Sequence, residues 1–67
     1  MVKVRVNGEG IEVQEGTTLL DYLQQKGVNP QLVVVEYNRE IVKRDTWHEV
    51  VLQEGDKIEI LAFVGGG

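Results

Sequence analysis

The end of the chain offers a reactive group that needs no side chain. The sequence closes on AFVGGG, where Gly65, Gly66 and Gly67 follow an apolar segment. A terminal carboxylate is ionised at neutral pH and reacts only after activation, for example as a mixed anhydride with AMP. Glycine has no β-carbon, so such a tail fits a narrow tunnel, and its last four residues reach roughly 13 Å. We expect the Gly67 carboxylate to react; an expression remnant or an idle frayed end is the alternative.

Side-chain chemistry is sparse elsewhere. The chain has no cysteine, which excludes disulfides, thiolate zinc sites and a cysteine nucleophile. Asp45, His48 and Glu49 are close in sequence, but no nucleophile, metal-binding set or phosphate-binding loop accompanies them. A solvated loop is the simpler interpretation. We therefore predict that the chain is not an enzyme and binds neither a metal nor a cofactor.

Size and charge restrict the classes of partner. The chain has 67 residues, 42% of them hydrophobic, and a net charge of −4. This length predicts one small domain, and the acidity argues against nucleic acid, which needs clustered Lys and Arg. No apolar run is long enough to span a membrane, and the start alternates valines with charges, unlike a signal peptide. The sequence therefore predicts a cytoplasmic protein with no membrane or nucleic-acid partner.

Two strands are predicted at the start of the chain. Valines at positions 2, 4 and 6 alternate with polar residues, which is the period of a half-buried strand. The NGEG sequence at 7–10 has turn chemistry, and the alternation resumes at Ile11 and Val13. These residues predict a hairpin.

A helix is predicted next, because in EGTTLLDYLQQKG the spacing of the apolar residues changes from the alternation of a strand to that of a helical face. Thr17 or Thr18 can cap its first turn, and Gly27 is placed to end it after about three turns. We expect an apolar stripe of three leucines with one tyrosine at its margin: Leu19, Leu20, Leu23 and Tyr22.

The second half of the chain predicts more strands. LVVVEY at 32–37 is typical of a central strand, residues 41–42 of a short partner, and KIEILAFV at 57–64 of the last strand. Between them, Asp45 is expected to cap one helical turn that folds Trp47 over the core. The residues predict an α+β fold in which a mixed sheet of four to five strands covers one helix. Residues 1–64 would be the domain and residues 65–67 a flexible glycine tail.

One face of this sheet is expected to remain uncovered by the helix. If Ile58 and Ile60 face the helix, alternation turns their neighbours to the other side. We predict a partner-binding patch there, with acidic residues that steer it toward a basic partner surface. Its expected members are Val34, Glu59, Leu61, Phe63 and Val64. The alternative is that Phe63 wraps over an edge of the core.

Together these segments resemble the β-grasp sulfur carriers of the ThiS/MoaD superfamily, most closely the ThiS-like carriers of thiamine biosynthesis. The likeness spans nearly the whole sequence and is carried by Asn7, TLLDYL at 18–23, VVVEYN at 33–38, Glu40–Val42, Arg44 with Trp47, Gly55–Asp56 and Gly66–Gly67. Some relatives have proline at the position of Lys43 and alanine at that of Gly65, and neither change touches the chemistry.

The resemblance implies a ubiquitin-like β-grasp fold and a protein co-substrate. Gly67 would be adenylated by an E1-like, ThiF-type enzyme that uses ATP. A sulfur donor such as a cysteine desulfurase or a rhodanese would convert the adenylate into a thiocarboxylate. Thiazole synthase of the ThiG type would receive the sulfur, and Gly65 and Gly66 would be the narrow stem.

Three alternatives share some of these features. The small subunit of molybdopterin synthase has the same fold, tail and activation chemistry but is usually longer. A ubiquitin-like modifier would join Gly67 to lysines. A plain binding module would carry the tail incidentally.

Overall fold

The computed structural model describes residues 1–62, and the predictions made for residues 63–67 lie outside this range. The elements follow in the order β1 (Val2–Val6), β2 (Glu9–Val13), α1 (Leu19–Gln25), β3 (Val33–Tyr37), β4 (Glu40–Val42) and β5 (Lys57–Ala62), with 3-10 segments at Pro30–Leu32 and Arg44–Glu49. The strands form one five-stranded sheet in the order β2-β1-β5-β3-β4. β1 and β5 are parallel and the other neighbours antiparallel, which confirms the predicted mixed sheet with one helix.

The first hairpin forms because its turn residues accept left-handed backbone. Asn7 has a φ of 51° and Gly8 a φ of 84°, the conformation that a tight two-residue hairpin turn requires. The register runs from Val6 opposite Glu9 to Val2 opposite Val13. The predicted hairpin is confirmed.

Helix α1 is fixed at both ends by local hydrogen bonds. The Asp21 N–H donates to Thr18 Oγ1 at 3.0 Å, while the Thr18 N–H donates to Asp21 Oδ2 at 3.1 Å, which is a capping box. Gly27, with a φ of 71°, ends the helix in a Schellman motif in which its N–H donates to the Gln24 carbonyl. These caps leave 7 helical residues, about two turns, so the expected three turns were wrong.

The core lies between the helix and one face of the sheet. Tyr22 is only 6% exposed, whereas Leu20 is half-buried, so their expected places in the apolar stripe were reversed. Trp47 is 2% exposed, and its Nε1 donates to the Val42 carbonyl at 3.2 Å. The other buried apolar residues are Val4, Val6, Val13, Leu19, Leu23, Val35, Leu52 and Ile58.

The segment that carries Trp47 begins differently from the prediction. Lys43, not Asp45, occupies the position before the 3-10 segment, and no side chain caps it. Thr46 instead donates its hydroxyl to the Lys43 carbonyl at 2.8 Å. The segment is held by the Thr46 hydroxyl on the Lys43 carbonyl and by the Trp47 indole on the Val42 carbonyl, rather than by an Asp45 cap.

Candidate functional site

The described part of the candidate site is the end of β5 and the sheet face around it. The predicted tail and two predicted patch residues, Phe63 and Val64, lie beyond residue 62 and outside the described residues. β5 is described as far as Ala62, which lies opposite Val33, the first residue of β3.

Leu61 and Val34 lie side by side on the face opposite the helix. They are partners in the antiparallel register of β3 and β5, and Leu61 is 52% exposed. Their neighbours Val35 and Ile60 face the core, as the alternation of a strand requires. The structure thus brings these two predicted patch residues together on one face.

Ile41 is a further apolar residue on this face that the sequence analysis missed. It is 69% exposed and pairs with Glu36, which in turn pairs with Glu59. Because Val42 turns toward the core, strand alternation alone would have placed Ile41 outside. We call Val34, Ile41 and Leu61 the apolar patch.

Charge divides the same face into two halves. Glu36 and Glu59 lie directly opposite each other within the apolar half. On the other half Lys3, Arg5 and Lys57 are exposed, and Arg5 and Lys57 are partners in the parallel register of β1 and β5. In this basic half, Lys3 and Arg5 face outward as alternation with the core-facing valines of β1 predicts, and Glu12 lies opposite Lys3. The sequence did not indicate that Lys57 lies beside Arg5.

A buried polar cluster anchors the start of β5. Asp56 is 7% exposed and accepts hydrogen bonds from the Tyr37 hydroxyl, from Asn38 Nδ2 at 3.2 Å and from the Gln53 N–H at 2.7 Å. Burial, the hydrogen bond to Asp56 and the charge of that carboxylate raise the pKa of Tyr37 to about 12. Both carboxylate oxygens are occupied within the fold, so this cluster is structural.

The Asp45, His48 and Glu49 group lies on the exposed surface of the 3-10 segment. His48 Nε2 is 3.5 Å from Glu49 Oε2, and both side chains are more than half exposed. Among residues 1–62, no three His, Asp or Glu side chains are grouped so that they could hold a metal ion. The helices in this range are all too short or too polar to cross a membrane.

Comparison with known proteins decides the family. The model of the ThiS family matches residues 4–67. The chain belongs to the ThiS family. This ThiS-family chain is 38% identical to the sulfur carrier protein ThiS of Bacillus subtilis, over 96% of its own length and 98% of the relative's.

Solved structures agree with the ThiS-family fold. The crystal structure of the thiamine biosynthesis protein ThiS from Geobacter metallireducens superposes with a TM-score of 0.83 at 30% identity, over 98% of this chain and 100% of the other. A ubiquitin-like protein from Caldiarchaeum subterraneum shares the fold, with a TM-score of 0.52 at 19% identity. The expected ubiquitin-like β-grasp fold is confirmed.

A longer relative also contains this domain. The thiazole synthase of Magnetococcus marinus is 46% identical over 98% of this ThiS-family chain, which spans only 20% of that protein's length. The thiazole synthase of Paramagnetospirillum magneticum is also much longer than this chain: it is 39% identical over 98% of the chain, which spans 20% of its length.

Proposed function

We propose that this ThiS-family chain carries sulfur for thiazole formation in thiamine biosynthesis, as a thiocarboxylate on Gly67. The observation that carries the proposal is the family match, which runs through the glycines to residue 67. The relatives named as sulfur carrier or thiamine biosynthesis proteins match over almost their whole length, so the likeness is not confined to one part of the chain.

Conversion of the Gly67 carboxylate into a thiocarboxylate takes two displacement steps. The carboxylate attacks the α-phosphorus of ATP in a ThiF-type enzyme, and pyrophosphate leaves as the acyl adenylate forms. A hydrosulfide ion then attacks the acyl carbon, and AMP leaves to give the thiocarboxylate. Where the donor holds its sulfur as a persulfide, the same attack expels AMP and gives an acyl disulfide, and a thiol reductant then cleaves the S–S bond to release the thiocarboxylate. The carrier supplies only the acyl group, which explains why it needs no nucleophilic side chain of its own.

The apolar patch is the surface best suited to hold the carrier on its activating enzyme. Leu61 lies six residues before Gly67, so contacts at this position constrain where the tail begins. Burial of Leu61 and Ile41 would offset the entropy lost when a glycine tail is ordered. Glu59 and Glu36 on the same half would favour a partner surface with basic residues.

Thiazole synthase is the proposed acceptor of the sulfur. In two relatives named thiazole synthase, the segment that matches this chain is part of one polypeptide with the remaining four-fifths. Covalent linkage makes an encounter between domains intramolecular and raises their effective concentration, which favours domains that work on each other. A separate carrier would make the same encounter by association.

Intact-mass measurement tests the proposal. The 67-residue chain is incubated with ATP, the ThiF-type enzyme of the same organism and a sulfur donor. We expect the mass to rise by the difference between sulfur and oxygen. A matched chain extended by one alanine after Gly67 should stay unchanged, because its reactive carboxylate is displaced and its tail is thicker.

Other outcomes of this experiment contradict the proposal. An isopeptide conjugate between Gly67 and a lysine would indicate a modifier. An equal mass gain in the extended chain would show that Gly67 is not the site. A separate pull-down on the immobilised carrier distinguishes the acceptors: retention of the molybdopterin synthase large subunit, rather than thiazole synthase, would assign the other sulfur pathway.

A further inference from the structure

The end of β5 is held differently on its two sides. On one side β3 accompanies it to the last described residue, where Val33 is opposite Ala62. On the other side β1 pairs with β5 only at Arg5–Lys57 and Val6–Ile58 in the described part of the chain. Residues 59–62 therefore extend beyond the end of β1, toward the start of the tail.

Asn7 takes the place of the strand that is absent there. Its backbone N–H donates to the Ile58 carbonyl at 2.9 Å. Its φ of 51° then turns the main chain away into the hairpin. The side-chain Oδ1 accepts a hydrogen bond from the Ile60 N–H at 2.7 Å, which is the next rung of the parallel ladder. A side-chain amide thus extends the pairing of β5 beyond the last residue of β1.

We propose that Asn7 is a positioning residue for the C-terminal tail. By holding the Ile60 N–H, it fixes the direction in which β5 leaves the sheet and hence where residue 63 begins. A strand end held on one edge alone opens more readily than one held on both. The inference rests on the proposed function, in which this segment delivers the Gly67 carboxylate to a nucleotide. A small misplacement of that carboxylate lowers the rate of reaction.

Asn38 provides an internal comparison at the opposite end of the same strand. It also has a φ of 51°, and its Oδ1 accepts a hydrogen bond from the Lys57 N–H at 2.9 Å. The two asparagines therefore share a residue type, a backbone conformation and a kind of hydrogen bond. They differ in two respects. Lys57 begins the strand whereas Ile60 lies near its end, and Asn38 Nδ2 also donates to the buried Asp56, so Asn38→Gly removes one hydrogen bond more than Asn7→Gly and is the stricter control for a general loss of stability.

Three variants separate the positioning of the tail from general stability. Asn7→Gly keeps the left-handed backbone and removes the acceptor, Asn7→Asp keeps an acceptor, and Asn38→Gly removes the matched acceptor. The measurements are amide hydrogen exchange at Ile60, and kcat and KM for ATP-dependent adenylation by the ThiF-type enzyme.

In Asn7→Gly, we expect exchange at Ile60 to accelerate about fivefold, the effect of one ordinary hydrogen bond. We expect kcat to fall by about the same factor, with KM little changed because the apolar patch is intact. Asn7→Asp should restore both values. Asn38→Gly should accelerate exchange at Lys57 and leave Ile60 and kcat as in the parent chain.

Unchanged exchange at Ile60 in Asn7→Gly overturns the proposal, and so does an equal loss of kcat in Asn38→Gly. If the parent chain is not adenylated but exchange at Ile60 responds as expected, the proposed function fails. In that case the control of Asn7 over the strand end is supported on its own.

Discussion

Asp56 is the only charged side chain in the buried set of residues 1–62, and no cation accompanies it. Three neutral donors satisfy its two oxygens instead, and two of them come from the β3–β4 turn region at Tyr37 and Asn38. A buried carboxylate keeps its charge at moderate cost when every oxygen is hydrogen-bonded. The cluster thereby ties the β3–β4 hairpin to Asp56, the residue that precedes β5.

Tyr37→Phe tests the contribution of this cluster to stability. The substitution removes one donor and leaves the carboxylate buried, so we expect the free energy of unfolding to fall by about 1–3 kcal/mol. Chemical denaturation at pH 7 measures it. Tyr22→Phe is the matched control, because the hydroxyl of Tyr22 makes no such bond to a carboxylate. Equal stability of Tyr37→Phe and the parent chain would contradict the assignment.

The same tyrosine predicts a loss of stability at alkaline pH. The pKa of Tyr37 is about 12 in the folded chain, against about 10 in an unfolded one. Folding therefore favours the neutral phenol, so its contribution is complete below pH 10 and disappears as the pH rises from about 10 to 12.

Denaturation at a series of pH values should show that the free energy of unfolding falls over this alkaline range, and that it falls less steeply with pH in Tyr37→Phe. Tyr22 accounts for part of the pH dependence that remains in Tyr37→Phe, because burial and the nearby charge of Glu9 raise its pKa too. A slope unaffected by Tyr37→Phe would show that the phenol titrates as in the unfolded chain.

At the level of elements, the sequence predicted what local chemistry determines. The Asn7–Gly8 turn and the Gly27 terminator were found because few residues accept left-handed backbone. The apolar stripe could have been found as well, since Leu19, Tyr22 and Leu23 have the i, i+3, i+4 spacing of one helical face. Helix length was overestimated, since a cap at Thr17 or Thr18 and a terminator at Gly27 leave room for little more than two turns.

Thr18→Ala tests which threonine begins the helix, a point that the sequence left open. Loss of the capping box should lower the free energy of unfolding by about 0.5–2 kcal/mol. Thr17→Ala is the matched control: the bonds of Thr17 to Gln14 and Leu52 are made by its backbone, which the substitution retains. Thermal or chemical unfolding measures both. The opposite ranking of the two variants would move the cap to Thr17.

At the level of the whole molecule, the order of the strands in the sheet depends on pairing between distant segments, which the sequence does not reveal. Alternation predicted which residues of β3 and β5 face outward, and the structure agrees for Val34 and Leu61. Sequence alone does not indicate that β1 lies beside β5, however, because that pairing joins residues about fifty positions apart. The basic half of the outer face and the bond from Ile60 to Asn7 both depend on it.

The apolar patch makes a prediction that involves the whole outer face. Leu61→Glu places a charge beside Val34, where an activating enzyme would bury an apolar side chain. Removing such a contact costs about 1.5–3 kcal/mol, so we expect the Kd for the ThiF-type enzyme to rise roughly tenfold or more. Titration calorimetry measures this, and circular dichroism should be unchanged because Leu61 is already half exposed.

Val51→Glu is the control for a charge at an exposed apolar position. Val51 is 41% exposed and bridges to Thr18 beside the helix, away from the outer face. The added charge is the same, so a general electrostatic effect would weaken both variants equally, whereas docking through the apolar patch weakens Leu61→Glu alone. If a folded Leu61→Glu variant binds the enzyme as tightly as the parent chain, the apolar patch is not part of the interface and the enzyme recognises the tail instead.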